Sequence, residues 1–258
     1  MNALADKLKK LSLTTAALQL DDVLRDAARR NLSAADTLER LVDLELATRQ
    51  DRAILRRFHL SRLLTKPDIA QFHFAHHKSR QQARERLLRL LDLDFVRKGT
   101  NVIFLGNPGT GKTFLAKTVG WKACQANLRV LFTSAMDMLN HLAAAQVDHS
   151  LARKLRTYTD PALLICDELG YLALDPQTSN LFFQVISARY GYKRSTLITT
   201  NTPFSEWGNI LHNTTIATAV ADRLVEDSQV FLLDGDSFRK SGARNRGAGP
   251  STESGAAL

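Results

Sequence analysis

Two cysteines in 258 residues, Cys124 and Cys166, are too few for a disulfide framework, and a reducing, cytoplasmic setting is the simplest reading. No apolar run reaches the roughly 20 residues that span a bilayer, so no membrane partner is expected. A secretory pattern is also lacking. The apolar stretch after Lys9 and Lys10 is short and is interrupted by Asp21 and Asp22. There are no internal repeats and no base-reading motif that would separate ATP from GTP. His73 and His77 are four residues apart, as if on one helix face, and His76 lies between them. No cysteine or carboxylate completes a metal set with them.

What is present is the composition of a folded protein. Hydrophobic residues make up 44% and charged residues 24%, enough for a real core in one α/β domain with a smaller appendage. The net charge of +9 is uneven. Residues 1–100 hold 20 Lys/Arg against 13 Asp/Glu, a balance of +7, which leaves +2 for the remaining 158 residues. A basic N-terminal part on a nearly neutral domain suggests an anionic partner, most often nucleic acid; the plainer reading is solubility.

Residues 1–65 read as a helical domain. Leu8, Leu11, Leu18, Leu20 and Val23 recur around a turn expected at Leu13–Thr15. Ser33 is an N-cap candidate for a second stretch carrying Leu38, Leu41, Leu44 and Leu46. Arg49, Arg52, Arg56, Arg57 and Arg62 stud its later half. An apolar stripe with an arginine face can pack on one side and hold phosphates on the other. Lead-in residues follow, with a basic helix over 80–91 and a turn over 96–100. From residue 101 apolar strands alternate with helices: strands over 101–105, 129–132, 162–166, 195–200 and 230–233, helices over 112–126, 135–145 and 177–189. That alternation implies a parallel five-stranded sheet between helices, an α/β domain over residues 66–240. Residues 241–258, rich in Gly, Ser, Ala and Arg, read as a disordered tail.

Gly106-Asn107-Pro108-Gly109-Thr110-Gly111-Lys112-Thr113 matches the phosphate-binding pattern G-x-x-x-x-G-K-[ST], between an expected strand and an expected helix. Glycines let backbone amides close around phosphate oxygens, Lys112 reaches the β- and γ-phosphates, and Thr113 ligates Mg²⁺. With the adjoining Phe114 these are the candidate nucleotide-binding residues. A strand ending in Asp167-Glu168 follows about 50 residues later. Asp167 is the second candidate Mg²⁺ ligand, and Glu168 the group that orients or deprotonates the attacking water. Asn201 follows the fourth strand, where it either meets the γ-phosphate or makes a turn with Thr202-Pro203. Arg223 and Arg239 flank the fifth strand as candidate γ-phosphate contacts, with Arg189 and Arg194 as competitors.

The segments GNPGTGKT, LLICDELG, TLITTN and ADRLVEDSQVFLLDGDSFR, in this order and spacing, resemble the AAA+ P-loop ATPases of the IstB/DnaC type, and among them the IstB-like transposition helper proteins of bacterial insertion sequences. The resemblance covers nearly the whole chain, and Thr37–Leu41 in the helical segment shares it. It implies an ATPase that binds duplex DNA without strict sequence preference, forms an ATP-dependent homo-oligomer on it, and presents it to a partner transposase. Lys112, Thr113, Asp167 and Glu168 then form the catalytic site with Asn201 as sensor 1. Arg223 becomes the arginine finger completing a neighbour's site, and Arg239 matches sensor 2. The residues after the fifth strand are too few for a full helical lid, which leaves the role of Arg239 open. A replicative helicase loader would share the core but bind a helicase and prefer single strands. A nucleotide-switched DNA-binding adaptor with little turnover would not need Glu168.

Overall fold

The computed structural model describes residues 3–170 and 173–235. It divides into two compact units, Met1–Arg57 and Phe58–Leu258.

The first unit is helical: α1 (Ala3–Lys10), α2 (Thr14–Arg30) and the start of α3 (Ala34–Ser61). The turn expected at Leu13–Thr15 lies slightly earlier, and Thr14 and Thr15 already belong to α2. Ser33 caps α3 reciprocally. Its hydroxyl accepts from the Asp36 amide at 3.1 Å, and its own amide donates to the Asp36 carboxylate at 3.3 Å. The core is small: Ala16, Leu20 and Val23 of α2 against Leu41 of α3. A buried carboxylate adds to it. Glu45 accepts from the amides of Thr15 at 2.7 Å and Ala16 at 3.0 Å, so α3 caps the start of α2. Arg49 holds the other Glu45 oxygen at 2.9 Å and the Ser12 carbonyl at 2.6 Å.

The division between units falls inside α3, eight residues before the boundary expected at residue 65. Phe58, the first residue of the second unit, packs its ring edge-on against Trp121, 5.4 Å away.

After the end of α3 the second unit continues with two single turns of 3₁₀ helix, Ile69–Gln71 and Phe74–His76, then α4 (Lys78–Arg89) and α5 (Asp94–Lys98). Two expectations change here. The turn placed at 96–100 is helix to Lys98, because Phe95 and Val96 turn inward. His73 and His77 share no helix, since each is the residue just before a helical turn. Among the described residues no group of three or more His, Cys, Asp or Glu could hold a metal.

The sheet contains β1 (Asn101–Leu105), β2 (Val130–Ser134), β3 (Leu163–Leu169), β4 (Ser195–Thr200) and β5 (Ser228–Leu232), in the order β2-β3-β4-β1-β5 with every pairing parallel. The helices between strands are α6 (Lys112–Gln125), α7 (Ala135–Val147), α8 (Leu151–Thr159), α9 (Pro176–Gly191), the short α10 (Trp207–Ile210) and α11 (Thr214–Val225). Alternate strand residues serve two cores. Ile103, Leu164, Cys166 and Ile198 face one cluster with α7, α9 and α11; Val102, Phe104, Ile165 and Leu197 face another with α4 and α6. Because β4 lies between β1 and β3, its end arrives between the loop after β1 and the carboxylates ending β3.

The tail over 241–258, Arg239 and any lid after β5 lie outside the described residues. Among the described residues no helix is long and apolar enough to cross a membrane.

Candidate nucleotide-binding site

The loop between β1 and α6 crosses the sheet edge under tight backbone constraints. At Gly106 a Cβ would lie 2.2 Å from the Leu233 carbonyl oxygen, so only glycine lets the loop leave the sheet here. Gly111 combines φ +90° with the Phe72 ring, which a Cβ would meet at 2.7 Å. The Thr110 hydroxyl donates back to the Asn107 carbonyl at 2.8 Å and closes the loop on itself.

A cavity of about 330 Å³ opens beside this loop, a volume within the range of small-molecule sites. Pro108, Gly109, Gly111, Lys112, Thr113, Phe114 and Glu168 all line it, so seven of the residues singled out from the sequence share one wall. Gly106, Asn107, Thr110 and Asp167 do not line it, but lining residues bond to each of them: Lys112 to Gly106 and Asn107, Arg80 to Thr110, Thr113 to Asp167. Lys112 is 8% exposed; its ammonium donates to the carbonyls of Gly106 at 2.7 Å and Asn107 at 2.8 Å. Burial holds its pKa below the usual lysine value, against the pull of Asp167 and Glu168.

The two carboxylates sit in different surroundings. Asp167 is buried at the end of β3, where its Oδ1 accepts from the Thr113 hydroxyl at 3.1 Å and from the Thr199 hydroxyl. Glu168 is exposed and adopts φ +61°, where the β3–β4 register shifts. A non-glycine residue there costs about 1–2 kcal/mol. The Glu168 amide donates to Thr199 Oγ1 at 3.0 Å, which fixes this conformation. One hydroxyl on β4 therefore holds the Asp167 side chain and the Glu168 backbone together. Cys166, just before them, is inert: burial, then Asp167, pushes its thiol up to about 12.

The residues present fit a nucleotide with Mg²⁺. A glycine loop with a buried lysine suits phosphate, and the Thr113 hydroxyl with the Asp167 carboxylate offers the hard oxygen ligands Mg²⁺ takes.

Other candidates stand apart. Asn201 follows Thr200 but does not line the cavity; its amide oxygen accepts from the Thr202 hydroxyl at 3.3 Å. Arg223 donates to the Ala219 carbonyl at 2.7 Å and lies 5.0 Å above the Phe183 ring, away from the cavity lining. Arg189 is scaffold: 1% exposed, it donates to the carbonyls of Tyr158 at 2.8 Å and Pro161 at 3.0 Å and to that of Ser195. Burial, then Arg194, lowers its pKa to about 9. Arg194 itself pairs with Asp160 at 3.2 Å.

The cavity also has walls from residues given no nucleotide role in the sequence: Gln71, Phe72, His73 and Arg80 from the lead-in, Thr199 and Thr200 from β4. The lead-in residues precede β1, outside the phosphate-loop and carboxylate motifs. The two threonines fall in the segment TLITTN, where only Asn201 is given a role.

Known proteins agree with this architecture. The profile of the family described as IstB-like ATP binding protein matches residues 6–246. The chain is 38% identical over 213 residues to the insertion sequence IS5376 putative ATP-binding protein of Geobacillus stearothermophilus, covering 83% of this chain and 84% of that one. It is 32% identical over 249 residues to the insertion sequence IS21 putative ATP-binding protein of Pseudomonas aeruginosa, covering 96% and 92%. Among solved structures, the DnaC helicase loader superposes with a TM-score of 0.54 at 21% identity, covering 69% of this chain and 98% of that one. DnaI superposes at 0.57 and 17% identity, covering 68% and 93%. At these identities the superpositions speak for the fold alone.

Proposed function

The chain belongs to the IstB-like ATP-binding protein family, and from that premise we propose that it binds and hydrolyses ATP, assembles as a homo-oligomer on duplex DNA, and delivers that DNA to a partner transposase. The observation that carries the catalytic part is the shared wall of Lys112, Thr113 and Glu168, with Asp167 behind Thr113. Mg²⁺, held by Thr113 and Asp167, would neutralise charge on the phosphates. Lys112 exchanges its two carbonyl partners for phosphate oxygens, and the loop amides hold the rest of the phosphate chain. Glu168, carried at the cavity wall by its fixed backbone, takes the proton of the attacking water. Asn201, which directly follows β4, would orient that water. Arg223 serves a neighbouring subunit, so a finger role requires it to leave Ala219 and Phe183 on assembly.

For DNA, the support is the basic balance of residues 1–100 and the exposed Arg52 and Arg56, one helical turn apart on α3. Insertion-sequence relatives at 31–38% identity favour transposition over helicase loading, since the loaders match in fold only.

Sedimentation with random-sequence duplex in ATP, ADP or no nucleotide, at two salt concentrations, tests the proposal. The expected result is large DNA-bound assemblies with ATP alone, weakened by salt. Absence of duplex binding in every nucleotide state would sink the DNA reading.

A further inference from the structure

Among the described residues Arg80 is a charge without a counter-charge. It lies on α4, outside every recognised motif, and is 2% exposed. Its Nη2 donates to the Thr110 carbonyl at 2.8 Å, and its guanidinium sits 5.1 Å from the centre of the Phe72 ring. Its Nε–H is buried without a hydrogen-bond partner. None of the ion pairs among the described residues involves it, and burial depresses its pKa. A buried, unpaired cation is costly, and proteins keep one where a ligand completes it.

Its surroundings repeat those of Lys112. Both cations are buried, both line the same cavity, and both rest on carbonyls of the same loop: Lys112 on Gly106 and Asn107, Arg80 on Thr110. Phe72 holds the arrangement together, because its ring seats against Gly111 on one side and under Arg80 on the other. Arg189 shows the alternative. That equally buried arginine spends its donors on several carbonyls and a threonine hydroxyl, and lines no part of this cavity.

We propose that Arg80 is a nucleotide ligand from outside the phosphate-binding loop, a second buried cation that binds the phosphate chain while its Thr110 contact keeps the loop in register. The proposal rests on the cavity being the ATP site. Arginine suits the task because its planar fork bonds loop carbonyl and phosphate oxygen at once.

The test is calorimetric titration of the full-length protein with ATP and with inorganic tripolyphosphate, for wild type, Arg80→Met and Arg80→Lys, beside nucleotide-free melting temperatures. Arg80→Met should weaken both ligands about tenfold to a hundredfold, the range of a charged hydrogen bond. Its nucleotide-free melting temperature should stay level or rise, since an uncompensated charge is removed from the interior. Arg80→Lys should fall between. Affinities within about twofold of wild type overturn the proposal. So does a loss for ATP with none for tripolyphosphate, which would move Arg80 to the base or ribose. A clear drop in nucleotide-free melting temperature in both variants would make Arg80 scaffold, also against the proposal. Failure of the wild type to bind ATP would instead remove the site reading on which it rests.

Discussion

The N-terminal and C-terminal units both bury charge, and they treat it differently. In the N-terminal unit Glu45 has a full set of partners: two backbone amides on one oxygen and Arg49 on the other. It substitutes for core in a unit whose buried cluster is four small or medium apolar side chains. In the C-terminal unit the sheet carries two large apolar clusters, so cohesion does not depend on buried charge. There carbonyls are the hydrogen-bond partners of Lys112 and Arg80, and both side chains face a cavity. On the proposed reading, a buried charge whose partners are all in the chain is scaffold, and one whose partners are incomplete takes a ligand. Arg189 follows the first rule inside the second unit, so the criterion tracks the partners and not the unit.

Substitutions can break or sharpen this contrast. The largest effect is expected from Lys112→Ala, which should lower ATP affinity about a hundredfold without lowering the melting temperature, read by titration and calorimetry. Next comes Thr199, whose hydroxyl positions both carboxylates. Thr199→Val should cut turnover about tenfold to a hundredfold with ATP affinity changed far less, and Thr199→Ser should restore it. Equal losses in affinity and turnover would remove the positioning role. Arg52→Gln with Arg56→Gln should leave ATP affinity alone and reduce the salt slope of duplex binding by about 2, one for each lost phosphate contact. An unchanged slope would clear this face of α3 from the DNA interface.

The smallest effect concerns acid. Glu45 is held below the ordinary carboxyl range, first by the Ala16 amide, against burial, then by Arg49 and the Thr15 amide. Its folded pKa is depressed, so its contribution is complete above the ordinary carboxyl value and is lost as pH falls through the depressed one. Hydrogen exchange at Thr15 and Ala16 should quicken over that acid window in wild type. In Glu45→Gln exchange should be fast already at neutral pH and change little with acid.

Much of the C-terminal unit was legible in the residues. A short apolar run marked β1 and a β-branched run marked β4, each with the ends observed. The loop glycines and the Asp167-Glu168 pair were readable because phosphate and Mg²⁺ demand those residue types at that spacing. Less legible was whatever depends on distant chain meeting in space. Arg80 looked like one more arginine on a basic helix, and Thr199 like a β-branched strand residue. Helix α8 was missed because Leu151, Leu155 and Tyr158 form a stripe diluted by five polar neighbours. The His73–His77 spacing misled, since an i, i+4 pair means a shared face only where a helix forms.

The most direct test of the central claim is single-turnover hydrolysis by Glu168→Gln beside wild type, with ATP affinity measured on the same samples. The account predicts binding within a few-fold of wild type and hydrolysis slower by about 100-fold or more, the usual contribution of a general base. Hydrolysis at the wild-type rate would contradict it, and would mean that the cavity beside Lys112 is not where this protein breaks the phosphate bond.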